Sequence, residues 1–273
     1  MTSGGARFDR EWVLVRTVNN KYISLMTTPH FTRLRQKLIF QENEEAPSHL
    51  ELSVVEGQCS SLETRKIQIE IERQYLQKDH LTAKKAAGKK FAYEGFKERA
   101  EVSEWLSAVL EEDVVIMRAA QNRLTPLEDK QSTLINSQAT DVRSGFMTAA
   151  SLHLINIKSV TDLKEKIAKK YMERTSESGE SVTLNDFDYE IFRPNIVIDY
   201  DTPYVEEEIM QARIENILLR QVGPAHRCKV TAIDWKTGDH SEVMEPYKTI
   251  CEDRNLKGIG GIFGIYMQLD IMA

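Results

Sequence analysis

The chain has 273 residues, of which 41% are hydrophobic and 29% charged, with a formal net charge of −6. That length carries two ordinary domains or one large one, and that composition is enough to bury a core. The acidic balance excludes a general nucleic-acid binder, which needs a basic face to displace counterions.

From the N-terminus, residues 1–5 lack the apolar region of a secretory signal, and no apolar run in the sequence approaches the ~20 residues that span a bilayer. Residues 12–15 and 22–25 are β-rich runs on either side of Asn19-Asn20, a spacing that predicts a hairpin. Residues 34–40 and 50–55 are two further predicted strands. Residues 66–71, Lys-Ile-Gln-Ile-Glu-Ile, alternate with period 2 and predict a strand with one apolar face. Residues 77–90 turn basic and alanine-rich and are expected to form a solvated linker. Val102, Trp105, Leu106, Val109 and Leu110 recur at helical spacing and predict a helix, followed by a short strand at 114–117. The polar stretch 124–138 is the expected boundary between a domain at residues 1–123 and a second at 124–273.

In the second half, residues 152–157 read as a buried strand. Ser159 is the expected N-cap of a helix over residues 160–172, with a mobile loop at 173–183. Phe192-Arg193-Pro194-Asn195 is a fixed turn feeding a strand, and the proline is expected to hold Arg193 extended. Residues 214–222 form a further strand pair leading into Arg227-Cys228. Here a thiol is expected at the mouth of a strand through 230–233, ahead of a Lys236-Thr237-Gly238 turn. An adjacent cation favours the thiolate, which is the form that attacks or binds a soft metal. By itself the pair reads first as a half-buried, inert cysteine with an arginine on the surface nearby. The three cysteines, Cys59, Cys228 and Cys251, are too widely spaced for a disulfide framework or a zinc set and fit a reducing, cytoplasmic location.

Four stretches in this order resemble the MOSC family, the C-terminal module of molybdenum-cofactor sulfurases that is also found in amidoxime-reducing proteins. They are residues 7–15 with Asp9-Arg10-Glu11-Trp12, then residues 192–195, then Arg227-Cys228 with Thr231, Asp234, Thr237 and Gly238. The fourth is Glu245-Pro246 followed by Arg254 and Phe263-Gly264-Ile265-Tyr266. The resemblance implies an α+β, mainly β fold: an N-terminal antiparallel β-barrel-like domain, then a MOSC β-barrel with flanking helices. It implies a molybdenum-molybdopterin cofactor, with Cys228 as the metal-ligating or persulfide-carrying residue and Arg10, Thr148, Arg193, Asn195 and Arg227 as cofactor contacts. Arg193 suits a phosphate because a guanidinium grips it bidentately; its alternative is an ion pair with a carboxylate such as Glu206. Asn195 also reads as fixing the turn through its own backbone, and Thr231, Asp234, Thr237 and Gly238 as scaffold. His226, next to the thiol, is a candidate proton shuttle.

The function the resemblance implies is an oxidoreductase that reduces a small N-hydroxylated substrate. Its electrons come from a partner of the cytochrome b5/reductase type, because the sequence has no flavin, haem or iron–sulfur signature. The alternatives are a sulfur carrier resembling the sulfurase C-terminal region and a non-catalytic cofactor-binding protein. Relatives of this kind occur with pyridoxal-phosphate domains and, in some cases, with mitochondria.

Overall fold

The computed structural model describes residues 8–57, 65–84, 92–119, 124–125, 142–143, 150, 152–178, 184, 186–257 and 260–269. Chain contacts divide into two compact units. One comprises residues 10–123 and 235–239, the other residues 1–9, 124–234 and 240–273.

The first unit contains β1 (Trp12–Arg16), β2 (Leu34–Phe40), β3 (Pro47–Val54), β4 (Ile67–Glu70), β5 (His80–Lys84), β6 (Ala92–Lys97), the helix α1 (Ala100–Leu110) and β7 (Val114–Ala119). Its strands form a four-stranded sheet in the order β1-β7-β6-β5 and a three-stranded sheet β2-β3-β4, with antiparallel pairing throughout. The helix buries Val102, Trp105, Leu106, Val109 and Leu110, the residues that its periodicity picks out. At Gly95 an added Cβ would lie 2.1 Å from the Arg118 carbonyl oxygen, so the close approach of β6 to β7 requires glycine.

The second unit follows with β8 (Leu124–Thr125), β9 (Val142–Arg143), β10 (Leu152–Asn156), α2 (Ile157–Ser178), β11 (Ile196–Ile198), β12 (Gln211–Ile214), β13 (Ile217–His226), α3 (Tyr247–Asp253), β14 (Asn255–Leu256) and β15 (Gly260–Leu269). Its principal sheet runs β11-β10-β15-β13-β12, with β14 paired to β15, and only the β10–β11 pair is parallel. Two apolar clusters pack on this sheet. Ile155, Leu163, Ile167, Phe192, Ile250 and Phe263 join the sheet to the helices, while Leu152, Leu154, Leu219, Ile265 and Met267 form the other cluster. Phe263 and Ile265 are two residues apart on β15 yet belong to different clusters. Gly264 between them has φ 72°, and a Cβ there would lie 2.6 Å from the Leu154 carbonyl oxygen, so a left-handed glycine breaks the alternation.

The α+β, mainly β expectation is borne out, and among the described residues no helix is long and apolar enough to cross a membrane. Several local expectations are corrected. The expected hairpin is present but short: Tyr22 bridges antiparallel to Val15, with the Arg16 amide donating to the Lys21 carbonyl and the Ile23 amide to the Leu14 carbonyl, both at 2.8 Å, while β7 pairs along the other edge of β1. Residues 80–84 of the expected linker are a strand, recruited by pairing with β6, and residues 85–91 lie outside the described residues. The α2 helix begins at Ile157 and runs on through residues 173–178, where a loop was expected. Ser159 is therefore inside the helix; its hydroxyl donates to the Glu206 carboxylate at 2.9 Å and accepts from the Tyr204 amide at 2.7 Å. Residues 230–233 do not form a strand. They lie in and just after a 3-10 turn, Lys229–Ala232, so the thiol stands past the exit of β13.

Candidate functional site

β13 delivers the thiol. Its pairing with β12 ends at Gln211↔Arg220, so Pro224 sits where that neighbour has stopped and its missing N–H interrupts no ladder on that side. Its register against β15 shifts between Gln221 and Gly223 and again between Pro224 and His226. These two bulges bend the strand and re-aim its exit, as bulges beside functional sites commonly do. Cys228 then caps the 3-10 turn and is exposed. Buried Thr231 secures it, with its backbone amide and its hydroxyl both donating to the Cys228 carbonyl, at 3.1 Å and 3.0 Å. The expected scaffold role of Thr231 is visible here. Gly238, in the first unit, has φ 82°, the positive value expected of its turn.

Arg227 points inward. Its amide donates to the Gly261 carbonyl at 2.9 Å, and Nη2 donates to the Phe192 carbonyl at 2.9 Å. Nη1 lies 3.2 Å from His153 Nε2 and 3.5 Å from Nδ1. Buried His153 Nε2 is also 3.2 Å from the Phe263 carbonyl oxygen. The Phe192 carbonyl immediately precedes Arg193. The Arg227 bond therefore fastens the Arg193 turn to the thiol segment, over a Phe192 ring that the guanidinium also faces at 5.8 Å.

Arg193 is exposed, but its backbone is not the extended one expected before a proline. It caps the 3-10 turn Tyr189–Phe192 in the left-handed region (φ 54°, ψ 52°), with its amide donating to the Glu190 carbonyl at 2.9 Å. Closing that turn outweighs the pre-proline preference. Asn195 is corrected as well. Its Oδ1 accepts from the His153 amide at 2.9 Å and its Nδ2 donates to Asp9 at 3.0 Å, so it ties the turn to β10 through a distant partner. Arg10 clusters with the first unit and has a left-handed backbone, φ 52°. Thr148 and Cys59 lie outside the described residues. His226 is exposed, beside Gly260, where a Cβ would sit 3.1 Å from its Nε2.

Sequence reasoning missed three residues. His153 interrupts the apolar run Leu-His-Leu-Ile, and a lone polar residue inside a buried strand was the available signal. Tyr247 and Cys251 are four residues apart on α3, which places them on one helix face. Hydrogen bonding to Cys251, then burial, then the nearby Cys251 and Cys228 sulfurs hold the Tyr247 phenol above its ordinary pKa of 10.0.

Compared with known proteins, residues 141–271 match the MOSC domain model. A molybdenum cofactor sulfurase of Oryza sativa subsp. japonica is 23% identical over 284 aligned residues, covering 100% of this chain and 30% of the relative. The Drosophila mojavensis protein of the same name is 26% identical over 96% of this chain and 28% of the relative. Mitochondrial amidoxime reducing component 2 of Rattus norvegicus is 22% identical over 62% of this chain and 47% of the relative. The chain thus spans less than a third of these sulfurases and about half of the amidoxime-reducing protein.

Proposed function

We propose that this chain, whose residues 141–271 form a MOSC domain, holds a molybdenum-molybdopterin group where Cys228 and Arg193 emerge, and that the Cys228 sulfur is its protein ligand or carries sulfur to it. The observation that supports this reading is the Arg227–Phe192 bond, which links the segment carrying the exposed Cys228 to the turn carrying the exposed Arg193. The donor set suits the group. One accessible soft sulfur matches a metal already held by a dithiolene, and a guanidinium on a pinned turn matches a phosphate tail. When bound, the group would supply a metal centre for two-electron or sulfur chemistry. The chain's own work is to present Cys228, to hold the turn that carries Arg193 through Asn195 and Arg227, and to keep Arg227 oriented by His153.

Between the finer activities we favour handling of cofactor or sulfur, because the relatives matched over nearly the whole chain are named sulfurases. Reduction of N-hydroxylated substrates with electrons from a partner protein is the second reading, favoured by the amidoxime-reducing relative. Two assays on protein from a cofactor-making host separate them. The first reading predicts cyanide-labile sulfur that disappears in Cys228→Ala and negligible amidoxime reduction with an artificial electron donor. Amidoxime turnover that depends on Cys228, without labile sulfur, would establish the second reading and overturn the first.

A further inference from the structure

Asn195 uses its polar groups to hold its own turn. Its backbone amide donates to the His153 carbonyl at 2.8 Å, and its Oδ1 accepts from the His153 amide at 2.9 Å. The side chain thus stands in for a backbone carbonyl and carries the parallel β10–β11 pairing one residue back from Leu154↔Ile196. The remaining donor, Nδ2, goes to the Asp9 carboxylate at 3.0 Å, 186 residues away in sequence. Arg227 Nη1 lies 3.2 Å from His153 Nε2, and Arg227 Nη2 donates to the Phe192 carbonyl at 2.9 Å. Phe192 and Asn195, the two ends of the turn that carries Arg193, are therefore joined through His153 and Arg227, and Asp9 braces this circuit from outside it. Asp9 is aimed against backbone preference. Its neighbours Phe8 and Arg10 both have left-handed backbones, φ 70° and 52°, a region that non-glycine residues occupy where surrounding contacts impose it. Asp9 clusters with the second unit, and the chain passes into the first unit at Arg10. The MOSC domain match covers residues 141–271, so this carboxylate comes from outside it.

We infer that Asp9 is a positioning residue for Arg193: acting through Asn195, its carboxylate fixes the turn that presents the guanidinium to the phosphate of a pterin cofactor. This rests on the reading that Arg193 holds that phosphate. A carboxylate suits the place, because a bond to an ionised acceptor is about twice as strong as one to a neutral oxygen. The domain matched at residues 141–271 therefore borrows one support of its site from the N-terminal end of the chain.

The test uses the full chain from a cofactor-making host: wild type, Asp9→Ala, Asn195→Asp, the double variant Asp9→Asn with Asn195→Asp, and Arg193→Ala. Two quantities are read, molybdenum and pterin retained per chain after dialysis, and hydrogen exchange over residues 192–198. Asp9→Ala should exchange faster there and retain at least about tenfold less of both cofactor components, the usual scale for loss of an outer support. Asn195→Asp sets two carboxylates against each other and should lose as much. The double variant exchanges donor for acceptor across the same bond and should recover both quantities; loss in Asn195→Asp without that recovery would overturn the inference. Asp9→Ala that keeps its cofactor while Arg193→Ala loses it would also overturn the inference and leave the reading of Arg193 intact. Full retention by Arg193→Ala, or no cofactor in the wild type, would overturn that reading and the inference together. Should Asp9→Ala fail to fold, Asn195→Asp and its recovery in the double variant decide alone.

Discussion

Replacing Phe263 by alanine is expected to cost about 3–5 kcal/mol, the largest loss expected of any single substitution in this core, with Phe263→Leu costing about half as much. Phe263 is fully buried, and its ring stacks on Phe192 with centroids 4.3 Å apart and planes 19° from parallel. The Tyr204 ring meets it edge-on at 6.2 Å. Truncation leaves a cavity between α2 and the sheet that neighbouring rings cannot fill from β15, because Gly264 beside it has no side chain. The effect reaches the site, since Phe192 carries the carbonyl that Arg227 grips and is followed by Arg193. Urea denaturation of the two variants and the wild type checks this. A loss below about 1 kcal/mol for Phe263→Ala would mean that the stack does not hold the turn.

Glu206→Ala should cost about 2–4 kcal/mol, through a cavity and two donors left without an acceptor. Glu206 is fully buried; its carboxylate accepts from Ser159 Oγ at 2.9 Å and from the Asn156 amide at 3.4 Å. Asn156 completes the clasp by donating to the Tyr200 and Thr202 carbonyls at 3.0 and 2.9 Å. Burial raises the Glu206 pKa above its ordinary 4.5, and the Glu207 charge adds to it, against the bonds from Ser159 and Asn156. The folded chain therefore holds this proton more tightly than the unfolded chain does. The associated stability is full below the unfolded value and is lost as pH rises through the raised folded value. Glu206→Gln has no such proton, so the Tm of the variant relative to wild type should climb as pH rises above 4.5. A constant difference across that range would show that the carboxylate is not protonated in the fold.

How much of the fold was legible in the sequence depended on the reach of each interaction. The period-2 run ending at Ile71 and the helical stripe of α1 were readable because their partners matter only as an apolar surface. His80–Lys84 was not, because its strand state depends on β6, and alanine and lysine announce no pairing of their own. Ser159 has the chemistry of a cap, but a carboxylate 47 residues away claims its hydroxyl. Residues 230–233 look alternating, yet Val230 and Ile233 are three apart, the repeat of the 3-10 turn they border. Cys228 was legible only through the resemblance, since an Arg-Cys pair is ambiguous alone. The turn that carries Arg193 and Asn195 is tied to the thiol segment through the Phe192 carbonyl, by way of a left-handed backbone and a bond to β10 that no local rule supplies. His153 and the Tyr247–Cys251 pair take their significance from strands and a helix that meet only after folding.

The most direct test measures molybdenum and pterin per chain in protein purified from a host that makes the cofactor. The account predicts near-stoichiometric amounts of both in the wild type, and at least about tenfold less in Cys228→Ala with unchanged far-ultraviolet circular dichroism. Equal metal and pterin in the two proteins would contradict it.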